Sequence, residues 1–101
     1  MEMKYKAIIQ IEAVRDFQEA KLWYEETKVN GLVQQFANAV KSTITNLQKY
    51  PTAYATRYKN VRIAHTEKFP YAIHFFIDND LIVIIAIIYN GRDPKITFDR
   101  V

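Results

Sequence analysis

No cysteine occurs among the 101 residues, and only two glycines, three prolines, two histidines and a single serine do. Each scarcity removes a class of chemistry. Without cysteine there is neither a disulfide framework nor a thiol nucleophile, which accords with a cytoplasmic protein. Two glycines leave no glycine-rich loop to cradle a phosphate. The lone serine, Ser42, falls inside a predicted helix, so a Ser-His-Asp arrangement has nothing to start from. His65 and His74 stand nine residues apart on different predicted strands with no carboxylate at ligand spacing, and such histidines are more often packed or surface residues than ligands. Asp78-Asn79-Asp80 opens like a calcium loop but lacks the later glycine and glutamate, so it reads as a turn. Glu25 and Glu26 are consecutive on a helix and point apart, which leaves no carboxylate pair for acid–base work. No metal and no cofactor is therefore expected. Long apolar runs are missing too. The longest, Leu81–Ile88, is too short to span a bilayer. The opening MEMKYKAIIQIEA carries acids and no long apolar core, so it is not expected to be a signal peptide.

What is present is a large apolar fraction. Half of the residues are hydrophobic and 14% aromatic, enough for one domain over residues 1–101 to fold on its own core. The net charge is +3, and the excess lies in the second half. Residues 1–48 balance six basic against six acidic side chains, whereas residues 49–101 hold eight and five. That suits an anionic partner and equally an ordinary basic protein.

The chain is organised around Phe69–Tyr89, FPYAIHFFIDNDLIVIIAIIY. Its two β-rich runs flank an Asp-Asn-Asp turn, which predicts an antiparallel hairpin of central strands covered on both faces. A three-residue loop would set Tyr71, Ile73, Phe75, Val83, Ile85 and Ile87 on one face. Ala72, His74, Phe76, Ile82, Ile84, Ala86 and Ile88 would then share the other. A two-residue loop would change these partners. Before the hairpin, Lys4–Glu12 alternates as a half-buried strand. Ala13–Thr27 has helical spacing, with Val14, Phe17, Ala20 and Tyr24 on one side and Trp23 beside them. Arg15, Asp16, Glu19, Glu25 and Glu26 form a solvated face. Asn30-Gly31 breaks the pattern, and a second helix from Leu32 carries Phe36, Val40, Ile44 and Leu47 until Pro51 stops it. Thr52–Asn60 reads as a loop and Val61–Glu67 as a strand. Asn90-Gly91 makes a turn that calls for a positive φ, and Lys95–Val101 is a tail. The expected fold is α+β, β-α-α-β-β-β, with a helical hairpin on one face of an antiparallel sheet.

Arg57, Lys59, Arg62, Lys68, Arg92 and Lys95 border the predicted strands. If the strands pair in order, several converge at one sheet end, where arginines can grip phosphate or carboxylate groups bidentately.

Val61-Arg62, Lys68-Phe69-Pro70-Tyr71-Ala72-Ile73, the acidic turn, Ile82–Ile88 and Gly91-Arg92-Asp93-Pro94 follow one another with the order and spacing of a known family. Ala13, Asp16, Ala20 and Tyr24 of the first helix fit it as well, as do Phe36 and Tyr50-Pro51 of the second. Over nearly its whole length the chain resembles the RelE/ParE toxin superfamily, and within it the ParE-like branch more closely. The resemblance implies the toxin of a bacterial type II toxin–antitoxin, or plasmid stabilisation, system. Such a protein is cytoplasmic, has no membrane association, is neutralised by a cognate antitoxin and forms a homodimer when that antitoxin is absent.

The superfamily divides by mechanism: RelE-like members cut messenger RNA on the ribosome, and ParE-like members poison DNA gyrase. RelE-type chains often carry an arginine where this one has Ala72, and a tyrosine where it has Phe98, which offers no proton. The histidine of many relatives is Tyr89 here, with an ordinary pKa near 10. The resemblance therefore implies a gyrase-binding toxin that is not an enzyme. Its target-binding residues would be Arg57, Arg62, Arg92 and Lys95. If the two helices cover the Tyr71 face, His74, Phe76, Ile82, Ile84 and Ile88 on the other face are left to bind a second chain, the antitoxin or another copy. The alternatives are a ribosome-dependent ribonuclease using Arg62, Arg92 and Tyr89, and a non-toxic remnant that only binds antitoxin.

Overall fold

The computed structural model describes residues 5–101; Lys4, where the predicted first strand begins, lies outside them. Strand β1 is Lys6–Ile9, and helix α1 (Ile11–Glu26) follows at once. The helix starts two residues earlier than its spacing predicts, because the Gln10 carbonyl already accepts the Val14 N–H at 3.0 Å. Helix α2 spans Leu32–Lys49. Gly31 precedes it with φ +80°, a left-handed conformation that glycine adopts without a Cβ penalty. Tyr50 leaves the helical region ahead of Pro51, as the sequence predicts. The rest of the sheet is β2 (Thr56–Tyr58), β3 (Val61–His65), β4 (Tyr71–Asp78) and β5 (Leu81–Tyr89).

The spatial order is β1-β5-β4-β3-β2. Two features depart from the expectation. β1 runs parallel to β5, pairing Lys6 with Leu81 and Ile9 with Ile84, so the sheet is mixed. The presumed loop Thr52–Asn60 contributes the short antiparallel strand β2, paired to β3. The tail is also ordered, as a 3₁₀ helix over Pro94–Arg100.

The β4–β5 hairpin has a two-residue loop, Asn79-Asp80, with Asp78 opposite Leu81 and Asn79 at φ +56°. Asparagine tolerates that conformation. Near the turn, Ile77 therefore faces Ile82 and Phe75 faces Ile84. A bulge then slips the register by one, and Ile73 faces Ile87. Its signature is that Ile85 and Ala86, neighbours in sequence, both lie in the second-face cluster. The predicted face sets are thus correct at the Tyr71 end and inverted for β5 near the turn. Ile82 and Ile84 join Ile73, Phe75 and Ile87 beneath the helices, whereas Val83 and Ile85 face the other way.

The helix-side core centres on Phe36, fully buried, whose ring lies 5.0 Å from Tyr24 and Tyr71, 5.3 Å from Phe69 and 5.7 Å from Phe17. Such edge and tilted pairs add roughly 0.5–1.5 kcal/mol each beyond burial. Ala13 and Ala20 let α1 lie close on β5. Trp23 does not join them and stands 62% exposed.

On the second face Val61, Val83, Ile85, Ala86 and Ile88 cluster with Tyr58 and Phe76. The C-terminal 3₁₀ helix lies against it, with Phe98 5.0 Å from the Tyr58 ring and Thr97 wholly buried. The chain supplies this cover itself. No helix of the described residues is long and apolar enough to cross a membrane.

Candidate functional site

β4 begins and β5 ends side by side, which brings Tyr71 opposite Tyr89, their rings 6.0 Å apart and near perpendicular. The chain then turns back: Asn90 N–H donates to the Pro70 carbonyl at 2.8 Å, and Arg92 N–H to the Tyr89 carbonyl at 3.1 Å. Gly91 is not needed here for a positive φ. What it does is let the Tyr89 ring lie against the turn, since a Cβ at that position would be 2.7 Å from Cε2 of that ring and would push it aside. The ring thus folds over the turn and stays half exposed.

A cavity of about 240 Å³ opens beside this turn, between α1 and the outer edge of β5, with Asp16, Glu19, Trp23, Tyr71, Tyr89 and Arg92 around it. Burial raises the Tyr71 phenol above its usual range, with the Arg92 charge opposing and Tyr89 adding. Arg92 is exposed, and among the described residues it forms no salt bridge. Trp23, Tyr89 and Arg92 are the residue types that anchor protein interfaces when grouped at a depression.

The other predicted site residues are dispersed. Arg62 is partly buried on the helix side and donates to the Tyr54 carbonyl. It lies opposite Phe75, which faces Ile84, so at 3.3 Å per residue the strand level of Arg62 is roughly 16 Å from Tyr89. Arg57 is exposed on β2, and Lys59 reaches the Phe98 carbonyl at 3.0 Å while lying over its ring. Lys95 is exposed, its backbone N–H held by Asp93 at 3.0 Å. The basic set therefore does not converge: Arg92 and Lys95 follow β5, while Arg57, Lys59 and Arg62 sit around the β2–β3 turn. β3 and β5 are both antiparallel to β4 and so run in the same direction, which puts residues that precede β3 at the opposite sheet end from those that follow β5; only Lys68, after β3, shares the Arg92 end.

The residues expected to face an antitoxin are enclosed within this chain. Ile82 and Ile84 are under the helices, His74 and Ile88 under the C-terminal segment, and Phe76 is half-buried on the second face. His74, 4% exposed, lies 2.9 Å from the Tyr58 hydroxyl, which also meets Thr97. Thr97 donates its proton to the Pro94 carbonyl at 2.7 Å. Tyr58 must then donate to Thr97, and Nδ1 of His74 carries the proton that Tyr58 accepts. Burial pushes the His74 imidazole down to about 4; Arg100 and His65 add to the depression and Asp16 opposes it. His65 bonds through Nδ1 to Oδ1 of Asn90 at 3.1 Å.

Sequence reasoning missed two features. Asp16, assigned to the solvated face of α1, turns inward and meets Arg100 at 2.6 Å. Trp23, expected beside the apolar stripe, points away from the core and lines the cleft. Its position three residues beyond Ala20 and one before Tyr24, at the rim of the apolar stripe, is the signal that was there to read.

The ParE toxin of the type II toxin–antitoxin system parDE provides a family profile that matches residues 8–94. Among solved structures, one described as the chromosomal ParDE TA system from P. aeruginosa superposes with a TM-score of 0.74. It is 16% identical, and the match covers 87% of this chain and 98% of that one. At that identity the likeness speaks for the fold. Comparison with curated proteins gives no match.

Proposed function

This chain belongs to the ParE toxin family of type II toxin–antitoxin systems, and from that premise we propose that it arrests growth in the cytoplasm by binding DNA gyrase rather than by cutting RNA. A ParD-type antitoxin is the partner that family membership implies. The observation that carries the reading is the group at the end of β5: an exposed, unpaired Arg92 with Tyr89 and Trp23 beside one cavity. This is a surface built to bind. Lys95, just beyond Arg92 in the chain, belongs with this group in the proposal, whereas Arg57, on the opposite edge strand, and Arg62, committed to the Tyr54 carbonyl, leave that set.

Scission by a ribose 2′-hydroxyl needs a base, an acid and cations for the phosphorane-like charge. Each histidine is committed elsewhere, His74 beneath the C-terminal helix and His65 to Asn90. Arg62 and Arg92 are too far apart along the sheet to hold one phosphate. A single general acid or base contributes about 10²–10⁴-fold, so little hydrolysis would survive.

Induction of the chain in bacteria tests the reading. Double-strand breaks, a DNA-damage response and inhibited gyrase supercoiling with purified protein are expected. Messages cut at the ribosomal A site, with supercoiling untouched, would replace this function with the ribonuclease. Unimpeded growth at full expression would leave only the antitoxin-binding remnant.

A further inference from the structure

The chain has two glycines, and each follows an asparagine, as Asn30-Gly31 and Asn90-Gly91. Both pairs are exposed and lie at the middle of a turn. Leu32 N–H closes the first on the Val29 carbonyl at 3.3 Å, and Arg92 N–H the second on the Tyr89 carbonyl at 3.1 Å. Among the described residues, neither glycine N–H donates to another backbone group. In such a pair the glycine nitrogen can attack the side-chain amide carbon of the asparagine and close a cyclic imide, and no Cβ on the attacking residue stands in the way.

The two pairs differ in what holds the amide. Oδ1 of Asn90 lies 3.1 Å from Nδ1 of His65. An amide oxygen only accepts, so Nδ1 carries the proton and donates it. The other histidine bonds the Tyr58 hydroxyl, so Asn30 has no counterpart to this donor. Attack on the amide carbon moves negative charge onto that same oxygen, and a donor already placed there stabilises the charge as it develops.

We propose that Asn90 is a site of self-modification, losing its side-chain amide to attack by the Gly91 nitrogen while His65 stabilises the oxyanion. Gly91 gives its N–H proton to water as its nitrogen bonds Cγ of Asn90. The C–N bond of the side-chain amide then breaks, and that nitrogen takes a proton from water and leaves as ammonia. Water opens the imide at either carbonyl, giving aspartate or isoaspartate. Water is consumed, ammonia is released, and nothing is oxidised or reduced. A carboxylate then stands two residues before Arg92, and the isoaspartate form lengthens the backbone between the Asn90–Pro70 and Arg92–Tyr89 bonds that shape this turn. That this weakens the Arg92 surface as the protein ages rests on the proposed function; the chemistry does not.

Folded protein, aged at neutral pH and then digested, gives the test, because mass spectrometry separates acid from amide at each asparagine. Incorporation of heavy oxygen from labelled water marks the hydrolysis. Asn90 and Asn30 should convert at similar rates in urea, where only their shared dipeptide acts. In the folded chain Asn90 should be the faster. His65→Ala should slow Asn90 by about tenfold and leave Asn30 unchanged, a modest share of the roughly 10²–10³ that a donor supplies in an enclosed oxyanion hole. His65→Gln, which still offers an N–H, should restore part of the rate. Equal rates at the two asparagines of the folded chain, or an Asn90 rate indifferent to His65→Ala, would overturn the proposal. Neither result touches the gyrase reading, since the measurement needs no target.

Discussion

Asp16 and Arg100, 84 positions apart, are joined by a forked ion pair of 2.6 and 3.3 Å along the part of β5 that β1 does not reach. The same two side chains satisfy the Ile87 N–H and the Ile85 carbonyl. One pair thus closes a sheet edge, anchors α1 and holds the C-terminal segment on the second face. An exposed edge invites pairing with other chains, and here side chains substitute for the strand.

Breaking this pair is expected to be costly. Asp16→Ala leaves a guanidinium and a backbone N–H without their partner, at roughly 2–4 kcal/mol for a partly buried pair. At about 4–8 °C per kcal/mol for a domain of this size, the Tm falls by roughly 10 °C or more. Arg100→Ala should cost a similar amount, and the double variant less than the sum of the two. Thermal melts followed by circular dichroism check this. Additive effects would show that the two side chains act independently.

His74 makes stability fall with acid. Its folded value of about 4 lies below the ordinary 6.5, so the unfolded chain takes up the proton first. The contribution is complete above pH 6.5 and is lost as pH falls toward 4, by up to about 3 kcal/mol. Urea midpoints recorded between pH 7 and 4.5 should decline. In His74→Gln the decline across that window should be much shallower, from a lower starting stability.

Arg92 and Arg62 should separate function from folding. Arg92 is exposed and unpaired, so Arg92→Ala is expected to keep the Tm within a few degrees while relieving growth arrest. Arg62→Ala removes a charged donor from the Tyr54 carbonyl and should cost roughly 1–3 kcal/mol. Growth and melting measured on the same two variants give the contrast. Arrest that persists at equal expression of Arg92→Ala would return that residue to an ordinary surface role.

Gly91→Ala probes Tyr89 without touching it. The new methyl would lie 2.7 Å from the ring, and an exposed ring can swing away at little cost. The expected outcome is a Tm within a few degrees of the parent and a Tyr89 ring displaced from the turn. Binding to gyrase should fall as far as in Tyr89→Ala, as titration with purified gyrase would show.

Both helices, their junction at Gly31, the stop at Pro51 and the central hairpin were legible, because each rests on local spacing or on a residue with restricted backbone. The faces of β5 were not. Eight apolar residues in a row carry no alternation to read, and a bulge at Ile85–Ala86 leaves no mark in such a run. β2 was hidden because three residues around Arg57 are too few to form a pattern. Its pairing with β3 is a tertiary event. Of the candidate site, Arg92 was visible as a basic residue bordering a strand, and Tyr89 only through the family resemblance. The grouping of Trp23 with them depends on where α1 crosses β5, and Asp16 looks like any solvated acid until Arg100 returns to it from the far end of the chain.

The parallel pairing of β1 with β5 also governs when the protein comes into being. β1 (Lys6–Ile9) pairs with β5 (Leu81–Tyr89), so the strand that the first element needs is made only after both helices and three further strands. Domains are made N-terminus first at about 5–20 residues per second, and here the early segments must wait for the late one before the sheet can close. Pairing across most of the chain is slow in its own right. Until β5 emerges, β1 has no partner, and α1 cannot be tied to the C-terminal segment, because the Asp16–Arg100 pair that joins them spans nearly the same interval.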